Sequence, residues 1–218
     1  MPDEDRHSKA LEIELISDPQ ARARREAENG LRQFDEVLEQ VNYWLQPEHP
    51  FKLRPSAILS LHRCALEGIS SFAGVFRPGG IEIKGSEHQP PGAHLVPELV
   101  EGLCDYVNEN WAKSSPLHMA AYGLWRMNWI HPFVDGNGRT SRAVSYLVLC
   151  VRLGYVVPGT TTIPEQISKN KDPYYKALEA ADKANAAGWL DLAEMEKLLE
   201  SLLAAQLLSV IDAARSHP

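Results

Sequence analysis

The segment His131–Arg142, HPFVDGNGRTSR, gathers the side chains best suited to chemistry. Gly136 and Gly138 permit positive φ and let backbone N–H groups turn toward one point. The segment leads into a helical stretch, whose N-terminus adds unpaired N–H groups and the positive end of a dipole. Such a nest binds anions. Arg139 and Arg142 lie three residues apart and so share a helix face. Two guanidinium forks beside an anion nest suggest more than one phosphate. Asp135 is the one acid within residues 124–142, and a carboxylate among phosphate ligands is placed to hold Mg²⁺. His131, at the other end, can accept a proton from a hydroxyl nucleophile. These groups together suit displacement at phosphorus, where positioning and charge stabilisation supply most of the catalysis. No GxxxxGK[ST] occurs, which excludes a P-loop.

Helices must position this segment, and their periodicity is legible. Asp18 and Pro19 open a long helix with Ala27, Leu31, Phe34, Leu38, Val41 and Leu45 as its expected apolar stripe; Pro47 and Pro50 end it. Residues 56–67 form a second helix with Ile58, Leu59, Leu61, Leu66 and Ile69 inward. Pro97 opens a third, and residues 116–129 a fourth that is apolar nearly all round and therefore central. The fifth runs from Arg139 to about Leu153 and stops near Gly154; residues 174–187 and 191–214 complete the set. Between flanking glycines, Ile81, Glu82, Ile83 and Lys84 alternate as the best strand or hairpin candidate, ending at Gly85. The expected fold class is all-α for the most part, a bundle of seven or eight helices with one small β-hairpin. Its parts are an N-terminal acidic arm and helix over 1–48, a core over 49–186 and a C-terminal helix over 187–218.

The chain has 218 residues and a formal net charge of −7. Residues 1–48 hold 12 acids against 6 bases, so nearly all the excess lies there. This balance disfavours a broad nucleic-acid surface without forbidding a focused phosphate pocket. Three scattered cysteines form neither a disulfide framework nor a zinc cluster. No stretch reaches 18 apolar residues, and the acidic start is not a signal peptide. The expected setting is the reducing cytoplasm, without membrane or nucleic-acid partners. His62, His88, His94 and His118 fit no metal-ligand spacing and are expected as surface or core histidines, with a flap role open for His88.

HPFVDGNGRTSR resembles the Fic family, whose signature HPFx[D/E]GNGRxxR it matches at all nine defined positions. The resemblance extends to FRPGGIEIKGSEHQPP, similar to the family's flap, and to IPEQISKNKDPYYKAL, similar to the segment that closes its adenosine pocket. It implies a Fic fold over roughly 51–182. The implied activity is transfer of AMP from ATP to a Ser, Thr or Tyr hydroxyl of a target protein, with pyrophosphate released. By matching position, His131 would be the general base, Phe133 the anchor of the loop, and Asp135 the ligand of Mg²⁺. Gly136, Asn137 and Gly138 would form the anion hole, Arg139 would meet the β-phosphate region and Arg142 the γ-phosphate. The Gly-Asn-Gly form favours AMP as the transferred group. Ile81–Gly85 would dock a target segment by backbone pairing. Asn170, Tyr174 and Tyr175 are candidates for the adenosine pocket, the tyrosines by stacking.

Many members carry an inhibitory helix, [S/T]xxxE[G/N]. Here Glu28-Asn29 fits its second half, while Arg24 stands at the Ser/Thr position. A carboxylate brought to Arg142 would compete with the γ-phosphate for one fork. Glu28 is therefore the candidate brake, in cis or across a homo-oligomer interface, with Glu26 as the fallback. Against it stands an ordinary ion-pair ladder of Arg24, Glu28 and Arg32. Self-modification, removal of AMP from the same target, transfer of another phosphate-containing group, and a non-catalytic nucleotide-sensing module remain open at this point.

Overall fold

The structure is a computed structural model that describes residues 8–9 and 15–216, with side chains described for 15–210. Much of the acidic arm ahead of its helix, residues 1–7 and 10–14, lies outside the described residues. Among those described are two short strands, β1 (Ser8–Lys9) and β2 (Glu82–Ile83). Eight α-helices follow one another as α1 (Pro19–Trp44), α2 (Pro55–Leu66), α3 (Val96–Glu109), α4 (Pro116–Ile130), α5 (Asn137–Leu153), α6 (Ile163–Lys169), α7 (Asp172–Ala186) and α8 (Ala193–Ser216). Seven of these helices correspond to the expected ones within a few residues at each end. The seven-residue α6, opened by the Thr162 cap and Pro164, is too short to show a period and was not foreseen. No described helix is long and apolar enough to cross a membrane.

The paired helices α4 and α5 form the centre. Leu124, Met127, Ile130, Val144, Leu147 and Val148 are all fully buried there. Ser145 Oγ donates to Ala120 O at 2.9 Å, a polar tie where the two helices cross. Around this pair α1, α2, α3, α7 and α8 lay down their apolar faces, and Val41, Leu61, Leu103, Ala177 and Leu199 join one continuous core. The arm helix and the C-terminal helix thus share the core of the middle segment. Leu192, just before α8, and Met195 and Leu199 on it are buried, and Leu202 is half-buried.

Two expectations change. The buried face of α1 is Asn29, Gln33, Val37 and Val41; of the expected stripe Val41 is buried, Phe34, Leu38 and Leu45 are half-buried, and Ala27 and Leu31 are exposed, Leu31 at 71%. The physical reason is polar. Asn29 Nδ2 donates to Ala65 O and Glu67 O at 3.3 and 2.9 Å, and Gln33 Nε2 donates to Leu61 O at 3.0 Å. Asn29 satisfies carbonyls at the C-terminal end of α2, where helical partners run out, and Gln33 adds a further tie more than a turn earlier. The flap is also not a self-contained hairpin. β2 pairs antiparallel with β1, Ser8 opposite Ile83 and Lys9 opposite Glu82.

Candidate active site

Between α4 and α5 the chain turns through His131–Gly136. His131 caps α4 in the left-handed region, φ 50° and ψ 60°. Among the described residues it is the one non-glycine with positive φ. Such a conformation is strained and persists only where its surroundings fix it. Arg77 does much of that fixing: its Nε donates to His131 O at 2.8 Å, and its backbone N–H donates to Pro132 O at 2.9 Å. The His131 side chain is buried, and Nδ1 lies 3.3 Å from Asn128 O. A carbonyl only accepts, so Nδ1 carries the proton and Nε2 keeps its lone pair. Burial lowers the imidazole pKa to about 4, with the Asn128 hydrogen bond opposing and the Arg77 charge assisting, so His131 is neutral at pH 7.

The middle of the turn is clamped from below. Phe133 is fully buried and lies flat on His62, 3.6 Å between ring centres and 4° between planes. His62 Nδ1 accepts from Gly74 N at 2.9 Å, so its proton is on Nε2, which donates to Asp135 O at 3.0 Å. Burial brings its pKa to about 4 as well. Asn137 closes the turn: Oδ1 accepts from Phe133 N at 2.9 Å and Nδ2 donates to Phe133 O at 2.8 Å. Its side chain is thereby committed to the loop, and what it can offer an anion is its backbone N–H.

Gly136 sits at φ 76° at the start of α5, and a Cβ there would come within 2.4 Å of Leu66 Cδ2. Asp18, Ser115 and Thr162 cap α1, α4 and α6, while no side chain caps α5, nor α2, α3 or α7. The N-terminus of α5 is thus left to meet an anion. A Cβ on Gly138 would lie 3.2 Å from Arg142 Nη1, which shows the Arg142 head folded over this end of the helix. Burial lowers the pKa of Arg142, whose charge also feels Tyr174, Arg139 and Tyr175.

Residues 50–149 match the Fic/DOC family. The chain carries a Fic domain over these residues. Among relatives, a protein adenylyltransferase Fic of Drosophila willistoni is 34% identical over 130 residues, covering 59% of this chain and 24% of the relative. That of Drosophila virilis is 31% identical over 159 residues, covering 72% and 30%. The chain therefore spans about a quarter to a third of these relatives. Among solved structures, Fic-1 of C. elegans aligns over 93% of this chain and 55% of its own with TM-score 0.70 and 24% identity. A Fic-domain signaling protein of Bacteroides thetaiotaomicron gives TM-score 0.71 at 21% identity over 93% and 77%. An N-terminal Fic domain from Bartonella quintana with bound ADP gives 0.59 at 20% over 89% and 90%. These neighbours share the helical fold described above.

Within this Fic domain, the motif residues converge, while the outlying candidates divide. Asp135 Oδ1 accepts from Gly136 N at 2.6 Å, and Oδ2 meets Arg139 Nη2 at 3.1 Å and Arg22 Nη2 at 3.4 Å. Glu26 Oε1 lies 3.3 Å from Arg22 Nε and 3.7 Å from Arg139 Nη1. Glu28 is 50% exposed and pairs with Arg25 at 3.4 Å on its own helix; the α1 acid that meets a motif arginine is Glu26. The expected Arg24–Glu28–Arg32 ladder is replaced by Arg25–Glu28 and Arg32–Glu67 pairs. Tyr174 belongs to the core and is 3% exposed, so its ring is not offered to a base; Tyr175 is half-buried beside it, and Asn170 is exposed at the end of α6. In the flap, Ile81 and Ile83 are half-buried while Glu82, Lys84 and Gly85 are exposed. Its far end is fixed by His88 Nε2, which donates to Trp129 O at 2.8 Å. His118 bridges Tyr106 and Glu196 as a structural group.

Sequence reasoning missed Arg77, His62 and Arg22. The first two act on backbone atoms, and a backbone partner leaves no side-chain pattern to find. Arg22 reaches Asp135 across 113 residues.

Proposed function

We propose that this chain is a protein adenylyltransferase that moves AMP from ATP to a Ser, Thr or Tyr hydroxyl of a target protein and releases pyrophosphate. The observation that carries the reading is the pairing of a neutral, oriented histidine with an uncapped helix N-terminus bearing two arginines, at opposite ends of one six-residue turn. His131 Nε2 takes the hydroxyl proton as the oxygen attacks the α-phosphorus in line. Triphosphate charge nearby raises the His131 pKa toward neutrality and so strengthens the base. Backbone N–H groups at Asn137–Arg139 and the Arg139 and Arg142 forks hold the phosphates and the charge that develops on the leaving group.

Asp135 fits a metal. Its carboxylate is one-third exposed and already faces two cationic heads through Oδ2. Among the described residues no group of three or more His, Cys, Asp or Glu could hold an ion, so Mg²⁺ here would draw its other ligands from phosphate and water. When bound, Mg²⁺ would neutralise charge between the phosphates. The remaining partners belong to the same proposal: self-modification, a cytoplasmic target, and docking of the target along the flap at Ile81–Gly85. The antiparallel pairing of β1 with β2 supports a flap edge that accepts an extended segment. The α1 helix is the proposed brake. The contacts available to it are Arg22 on Asp135 and Glu26 on Arg139, with Glu28 one turn away from Arg24 and Arg32.

Intact-mass measurement after incubation with ATP, Mg²⁺ and a lysate fraction tests the reading. Addition of one AMP mass by the wild type, and none by His131→Ala with nucleotide binding retained, is expected. Transfer by His131→Ala at the wild-type rate, or addition of a phosphate mass, overturns it.

A further inference from the structure

Arg77 is an unusual cation. It is 3% exposed, and among the described residues no carboxylate pairs with it. A buried charge without an opposite charge is costly unless its donors are all engaged. Here they engage carbonyls alone. Nε donates to His131 O at 2.8 Å, Nη1 to Gly79 O at 2.8 Å, and Nη2 to Pro91 O. The Arg77 backbone N–H takes Pro132 O at 2.9 Å.

These four acceptors fall into two sets. His131 O and Pro132 O are the consecutive carbonyls that follow the His131 ring, and holding both fixes the peptide planes on which its left-handed conformation depends. Gly79 O and Pro91 O lie at the two ends of the flap segment that carries β2. One planar, rigid guanidinium therefore spans both features, and a flexible ammonium could not reproduce its directions.

We propose that Arg77 is a positioning residue that sets the distance and register between the flap and His131, so that a hydroxyl presented on the flap meets the Nε2 lone pair. This rests on the adenylyltransferase reading for its kinetic part, and on geometry alone for its structural part. Arg77 reaches His131 and the flap through backbone atoms at the end of the turn opposite the α5 N-terminus. The phosphate-holding end should not depend on it. A misplacement of about 1 Å between reacting groups costs roughly a hundredfold in rate.

The test uses Arg77→Lys, Arg77→Gln and Arg77→Ala in the full chain. Hydrogen exchange should quicken in residues 79–91 and 131–135 while α5 stays protected and the fold is retained by thermal melt. The kcat for target modification should fall about a hundredfold and the KM for target should rise, with ATP affinity within about threefold of wild type. Millimolar guanidinium ion should restore part of the Arg77→Ala rate. Unchanged exchange in both segments overturns the coupling, whether or not the wild type transfers AMP. Loss of ATP affinity in step with loss of rate, or full activity in folded variants, overturns the positioning role. Exchange that responds as expected in a wild-type protein unable to transfer AMP overturns the enzymatic reading and leaves the coupling standing.

Discussion

Arg22, in the second turn of α1, places its guanidinium 3.4 Å from the carboxylate of Asp135 in the motif turn. Glu26, one turn further on, reaches Arg139 at 3.7 Å. The helix thus sets a cation on the candidate metal ligand and a carboxylate on a candidate phosphate ligand. Together they imitate the charges of a metal-bound nucleotide.

If α1 restrains the site by these contacts, Arg22→Ala and Glu26→Ala should each raise self-modification with labelled ATP. Each pair is partly exposed and worth up to about 1 kcal/mol, so the gain should stay within roughly fivefold. Glu28→Gly should move the rate less than Glu26→Ala, because Glu28 pairs with Arg25. A larger effect at Glu28 would show that the helix shifts when nucleotide enters.

The two motif glycines should fail differently. Gly136→Ala places a Cβ against Leu66 in a left-handed conformation, at about 1–2 kcal/mol for the backbone and about 1–3 kcal/mol for the crowding. Urea unfolding should record that loss. Gly138 has no positive φ, and its Cβ would meet the far end of the Arg142 side chain at 3.2 Å. Gly138→Ala should fold with nearly wild-type stability and bind ATP more weakly by calorimetry.

His62 should matter to the turn rather than to the chemistry. His62→Ala orphans Gly74 N–H and Asp135 O and removes the surface beneath Phe133. Loss of about 2–4 kcal/mol in unfolding free energy is expected, from unsatisfied polar groups and the cavity together. His62→Asn, which can keep one hydrogen bond, should lose less.

Acid stability follows from the same two histidines. His62 and His131 have folded pKa values near 4, below the ordinary 6.5. The unfolded chain therefore binds protons that the folded chain refuses between those limits. Their contribution is fully present above about pH 6.5 and is lost as pH falls toward 4, by up to about 1.4 kcal/mol per pH unit for each histidine. Denaturation midpoints across this window should drop steeply in wild type and less so in His62→Asn.

The motif was legible because its parts are consecutive in the chain and each has a distinct chemical duty. Helices α2 and α3 were legible because their burial is apolar and periodic, as at Ile58, Leu61 and Leu103. The inner face of α1 was not, because Asn29 and Gln33 bury amides against carbonyls and a search for apolar spacing passes over them. Tyr174 and Tyr175 look alike in sequence, yet the first is buried within the core and the second is half-buried against it. The partner of β2 lies more than seventy residues away and is only two residues long, too short for any strand pattern.

The amide seam between α1 and α2 has a thermodynamic corollary. Detaching the first turns of α1 would expose Asn29 and Gln33 rather than a broad apolar face, and water can replace the carbonyls they leave. Heat-capacity change on exposure scales with apolar area and is offset by polar area. Undocking of this end should therefore have a small heat capacity and a flat temperature dependence. Such a hinge answers to ligand concentration far more than to warmth.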